Sequence, residues 1–213
     1  RGRVLLASAE MNNEDMEDRL SYALTAAGIT EHEHRKTVLM NIARVPLQGV
    51  DVAFLRGDCQ QTSVVAQLTA IVEQEDYDLI VLDPLSQFGG PGVETDPVIG
   101  NNLIRILAIC RNTPSVLIVH HTNKESRGGV KTTSSAARGT SALTDGVRWQ
   151  GNLETRDKAL GYQDFAVFRQ TKNNDGPAIP PKALVREEHL GGALRAATTN
   201  EWMSFLEAVK AGK

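Results

Sequence analysis

Cysteine is almost absent from these 213 residues. Cys59 and Cys110 have neither metal-knuckle nor redox spacing, so a disulfide framework is excluded and both thiols are expected to be packed in a reducing, cytoplasmic compartment. No apolar run approaches the ~20 residues of a membrane span, and no signal peptide is expected. An excess of positive charge is lacking too. The 23 Lys and Arg stand against 26 Asp and Glu, a net charge of −3, so the body is no general polyanion binder and any nucleic-acid contact has to be a local basic patch. A starting Met is also missing. The chain runs from Arg1 almost directly into an apolar strand, which leads to the expectation that residues are missing upstream.

What is present reads as one globular α/β domain spanning 1–213, with 41% hydrophobic residues and no biased repeats. Val4-Leu5-Leu6-Ala7 reads as a buried strand. A helix capped by Asn12 or Asn13 follows, with Met16, Leu20, Leu24 and Ala27 on one face and Gly28 as its stop. Thr30 and Glu33 suggest a capping box for a second helix carrying Val38, Leu39 and Ile42. Strands are expected at Val50–Leu55, Leu79–Asp83 and Ser115–His120. Helices are expected around Val64–Val72 and Val98–Cys110, and a Gly/Pro-rich loop over Phe88–Pro97. This alternation predicts a mostly parallel twisted sheet flanked by helices. Val147 with Trp149, and Phe165 with Val167, alternate with polar residues, predicting antiparallel edge strands at the C-terminal side. A helix from Asn200 closes the chain.

In open α/β sheets, ligands bind beyond the carboxyl ends of the strands. Three strand ends here carry chemically capable residues: Glu10, Asp83, and His120-His121-Thr122-Asn123-Lys124. Parallel strands would bring all three to one rim. Asp83, after four apolar residues, matches an acid that holds Mg²⁺ beside nucleotide phosphates; it reads equally as the cap of the following loop. Glu10 is either a base for an attacking water or a solvated acid favoured by a nearby helix N-terminus. Adjacent histidines point to opposite faces of a strand and do not chelate one metal together. One is expected to face the core, and the other to hydrogen-bond a ligand at the rim. His32 and His34 read as solvated.

The order strand–Glu10, Leu79-Ile80-Val81-Leu82-Asp83, Val119-His120-His121-Thr122-Asn123-Lys124, then Ala137-Arg138-Gly139-Thr140-Ser141-Ala142-Leu143-Thr144-Asp145-Gly146-Val147-Arg148-Trp149 resembles the RecA-like ATPases of the plasmid RepA helicase type. Gln170-Thr171-Lys172-Asn173-Asn174-Asp175-Gly176 resembles the family's lysine-bearing strand end. The resemblance covers about Arg3 to Gly176. It implies ATP and Mg²⁺ as cofactors, a homo-hexameric ring and single-stranded DNA as partner. It implies Glu10 as catalytic glutamate, Asp83 as Walker B acid and metal ligand, and His121 as sensor. It also implies Arg19 and Lys172 near the nucleotide, and Arg148 as the arginine finger that reaches a neighbouring subunit. Arg138 is the rival finger. Related helicases carry Lys-x-Arg where this chain reads Lys172-Asn173-Asn174, which favours Arg148. For Arg148 and Arg138 the plain alternative is a surface arginine with an acidic partner, and for Arg19 an exposed helix residue.

The major departure from the family is that no Gly-x-x-x-x-Gly-Lys-[Ser/Thr] string occurs. Family order places that phosphate loop before Arg3, and without it the phosphates lose their backbone N–H cradle and lysine. DNA contact is expected from a locally basic, mobile stretch carrying Lys124, Arg127, Lys131 and Arg138 against one acid, Glu125; a solvated loop is the alternative. The function implied is an ATP-dependent DNA helicase in plasmid or phage replication. The alternatives are a recombinase-type DNA-dependent ATPase, or a non-catalytic RecA-fold binding module.

Overall fold

The computed structural model describes residues 2–109, 115–121, 141–155 and 165–210. They pack as two compact units, Arg1–Glu17 with His32–Val147, and Asp18–Glu31 with Arg148–Lys213.

The first unit holds a parallel sheet of β1 (Val4–Ser8), β2 (Ile42–Pro46), β3 (Leu79–Asp83) and β4 (Ser115–Ile118), in the order β2-β1-β3-β4. One face alternates into the core: Leu5 and Ala7 on β1, Ile80 and Leu82 on β3, with Val116 and Ile118 beside them on β4. Each large side chain removed from water there contributes about 1.5–3 kcal/mol. Leu103 and Ile106 of α5 (Pro97–Ile109), together with Val64, Leu68 and Val72 of α3 (Ser63–Gln74), belong to the same cluster. Local chemistry sets the helix starts. Asn12 Oδ1 accepts the N–H of Asp15 at 2.9 Å to cap α1 (Asn13–Ala26). Thr62 caps α3, and Asp96 Oδ1 accepts from Val98 N at 2.7 Å just before Pro97 opens α5.

Three local expectations change. Val50–Leu55 is not a strand. Asp51 Oδ1 closes a turn onto Ala53 N, and Val52, Phe54 and Leu55 are all buried, so their apolarity reflects a core-filling turn. The strand forms instead at Ile42–Pro46, in parallel register with β1. Ile42 therefore leaves the second helix, α2 (His32–Met40), whose residues are all at least partly exposed. Phe88 ends a short helix, α4 (Leu85–Phe88), ahead of the glycine loop. The end of the expected helix at Cys110 lies outside the described residues.

The second unit is an antiparallel sheet in the order β5-β6-β7-β8: β5 (Trp149–Thr155), β6 (Phe165–Asn173), β7 (Lys182–Glu187) and β8 (Ala193–Ala196). The antiparallel strands expected on the C-terminal side are present, but among the described residues they pair with one another in a sheet of their own and not at the edge of the parallel one. β7 and β8 join them without any clear sequence alternation to announce them. Phe165 stacks on Phe205 of α7 (Thr199–Lys210), with Trp202 against the same ring. Thr198 and Glu201 form a capping box: Glu201 Oε2 accepts from Thr198 N at 2.7 Å, and Glu201 N donates to Thr198 Oγ1. No helix among the described residues is long and apolar enough to cross a membrane.

Candidate functional site

The chain passes from β1 outward to β2, then returns to place β3 on the other side of β1. Strand order therefore reverses between β1 and β3. A crevice opens at such a reversal, beyond the carboxyl ends of the strands. Glu10 and Asp83 flank this point. Ser8 and Asp83 are directly paired in register, and Ala9 N donates to the carbonyl of Asp83 at 2.8 Å. β4 joins the same rim, because Val119 N donates to Leu82 O and Leu85 N donates to Val119 O.

His121, two residues past that anchor, places Nε2 3.9 Å from Glu10 Oε1. This is a charge contact, too long for a hydrogen bond. Both side chains are about half exposed, at 53% and 52%, so the pair adds little stability and leaves Glu10 free to move. The Glu10 backbone is tied more firmly: its N–H donates to the fully buried hydroxyl of Ser8 at 3.4 Å, and its carbonyl accepts from Gln48 Nε2. Asp83 is half-buried and leads into a cis peptide bond with Pro84.

Of the two histidines, His120 is the more buried, at 13% exposure, and its Nδ1 stands 3.6 Å from Glu94. Sequence reading expects one histidine to be more buried than the other, but misses the meeting of His120 with Glu94, which no local pattern ties to β4.

Arg148 and Lys172 lie in the second unit. Arg148 immediately precedes β5 and grips Asp175 with two donors: Nε donates to Oδ2 at 2.7 Å, and Nη2 donates to Oδ1. The hydrogen bond and charge of Asp175 raise the Arg148 pKa, and the same contact holds the Asp175 carboxyl below its ordinary range. Asn174 N donates to Arg148 O, so the 170–176 segment and Arg148 form one local assembly. Lys172 is half-buried on β6, opposite Gln150. Arg19 is exposed on α1. Lys124, Arg127, Lys131 and Arg138 lie outside the described residues.

The donor set fits Mg²⁺ carried in by a nucleotide. Among the described residues no cluster of three His, Cys, Asp or Glu forms a metal cage. Mg²⁺ held by one or two carboxylates plus substrate phosphates and water needs none. Asp83 would hold it, with Glu10 beside it. A phosphate cradle is not supplied by any Gly-x-x-x-x-Gly-Lys-[Ser/Thr] string in the chain.

A family model described as an AAA domain matches residues 1–127. No curated protein matches. The chain is similar in fold to a solved structure described as an ATPase domain (TM-score 0.65, 15% identity, 92% of this chain and 75% of that one). It is also similar to a DnaB-like replicative helicase described with its interactions with primase (TM-score 0.63, 16% identity, 91% of this chain, 50% of that one). The RadB recombinase follows (TM-score 0.58, 12% identity, 92% of this chain, 80% of that one). At these identities the similarity establishes the RecA-like α/β fold.

Proposed function

Because the chain belongs to the AAA-domain family whose model matches residues 1–127, we propose that it is the nucleotide-hydrolysing core of a RecA-like DNA helicase. On this reading it resembles the plasmid RepA type, works in the cytoplasm as a hexameric ring, and moves single-stranded DNA in plasmid or phage replication. The observation that carries the reading is the meeting of Glu10, Asp83 and His121 at the reversal point of the parallel sheet.

Mg²⁺ bound with ATP would neutralise charge on the β- and γ-phosphate oxygens. Asp83 would hold the metal at the rim. Glu10 orients the attacking water and takes its proton. His121 exchanges its weak contact with Glu10 for a γ-phosphate oxygen and so reports occupancy. Arg148 acts on a neighbouring subunit's nucleotide after releasing Asp175, and Arg19 and Lys172 add positive charge near the phosphates. Lys124, Arg127, Lys131 and Arg138 track the DNA backbone.

The test uses a protein that carries the phosphate loop. Asp83→Asn should weaken Mg²⁺-ATP use. Glu10→Gln should bind nucleotide normally yet lose hydrolysis, read as phosphate release with and without single-stranded DNA. Full turnover by Glu10→Gln would reduce Glu10 to a helix-end acid and remove the reading. A second reading is a non-catalytic RecA-fold binding module, which would bind DNA or protein with no Mg²⁺-ATP affinity.

A further inference from the structure

His120 and His121 are consecutive, and each faces a carboxylate on a different element. His121 meets Glu10 beyond β1 at 3.9 Å, and His120 meets Glu94 in the glycine loop at 3.6 Å. The backbone just before them is pinned on both sides through Val119, to Leu82 O and from Leu85 N. With Val119 fixed, both rings hang from the same short backbone stretch, so a shift of that stretch moves both.

The glycine loop is held as tightly as that stretch. Val93 N donates to Gly90 O, and Thr95 and Asp96 both donate to Gly92 O. Gly90 lies so close to Leu55 that a Cβ there would stand 2.1 Å from its carbonyl oxygen. Glu94 is therefore carried on a stiff turn, 27% exposed, where its charge is less screened than that of Glu10. It also lines an open cavity of about 420 Å³ with Asp51, Ser86 and Gln87.

We propose that His120 is a positioning residue: through Glu94 it sets the angle at which His121 stands against Glu10, and so links the glycine loop to the acid just beyond β1. The link rests on the proposed role of Glu10 for its functional meaning, but its existence does not require nucleotide. Coupling of this kind is reciprocal, so a change at either acid must be felt at both rings.

Side-chain ¹⁵N NMR of the histidine-labelled chain at neutral pH tests this without any hydrolysis assay. The five histidines are assigned by single substitutions. Glu94→Gln keeps the shape of the side chain and removes its charge. It should move the ring ¹⁵N resonances of both His120 and His121, whereas Asp51→Asn, removing a charge from the same cavity wall, should move neither comparably. Glu10→Gln should in turn move His121 and His120. Movement of His120 alone with Glu94→Gln, or of His121 alone with Glu10→Gln, overturns the link. If Glu94→Gln fails to fold, the Glu10→Gln spectrum decides by itself. A working link in a protein that hydrolyses no ATP would remove the proposed function and leave this inference standing.

Discussion

Gly90→Ala should be far more damaging than its one added methyl suggests. Gly90 has φ +84°, a left-handed conformation that costs a non-glycine residue about 1–3 kcal/mol. The added Cβ would also stand 2.1 Å from Leu55 O and 3.1 Å from Leu55 C, backbone atoms that cannot rotate away. Forcing them apart strains the turn that buries Phe54 and Leu55, and overpacking of this kind costs about 1–3 kcal/mol more. The sum, about 2–6 kcal/mol, is a large share of the ~5–15 kcal/mol that holds a typical domain folded. Gly49→Ala is the matched control. Gly49 has φ +77° but nothing lies within 4 Å of its added Cβ, so only the conformational cost applies. In urea denaturation of both variants, the midpoint of Gly90→Ala should fall well below that of Gly49→Ala with an unchanged slope. In a thermal scan the losses should be roughly 4–24 °C and about 2–12 °C, taking ~2–4 °C per kcal/mol for a chain of this size. Equal losses would show that the close approach to Leu55 is not a real constraint, and the stiff turn under Glu94 would go with it.

Further outcomes follow from the charged groups. Arg148→Ala, in a protein with its phosphate loop, should bind ATP normally and lose on the order of 10³–10⁵ in rate if the finger acts in trans. Mixed with Glu10→Gln it should partly recover activity, since some interfaces then combine an intact Glu10 with an intact Arg148. No recovery in mixtures shown by native mass spectrometry to contain both proteins counts against a shared-site ring. Replacing Lys124, Arg127 and Lys131 with alanine should reduce the slope of log K against log salt for single-stranded DNA by roughly 0.7 per lost phosphate contact. An unchanged slope removes that stretch from the DNA surface. Glu201 is held down to about 2, first by Arg195 and then by Thr198. Its folded pKa lies below the ordinary 4.5, so its contribution is complete above about 4.5 and fades as pH falls toward 2. Glu201→Gln should therefore flatten the acid side of the stability profile between those values. A profile identical to the parent's would show that the Arg195 contact is not made in solution.

Local chemistry is enough to foresee the parts of this protein that depend on a few neighbouring residues. The apolar run ending at Asp83 can satisfy its backbone and its side chains together only as a buried strand. The periodic apolar residues of α3 and the cap at Asn12 are equally local. With parallel strands inferred, the gathering of Glu10, Asp83 and His121 on one rim follows from chain direction alone. Other features depend on partners far along the chain. Val50–Leu55 has the composition of a strand, yet its buried side chains fill the core from a turn, because Ile42–Pro46 takes the hydrogen bonds on that side of β1. β7 and β8 gain their pairing from β6, since no alternation of their own marks them. The meeting of His120 with Glu94 spans 26 residues and depends on where the packed glycine loop sets a carboxylate. The grip of Arg148 on Asp175 depends on the register of β5 against β6, which brings the start of one strand to the end of the other. Periodicity and capping are read within a turn or two of chain, whereas register and side-chain pairing are set by the whole packed core.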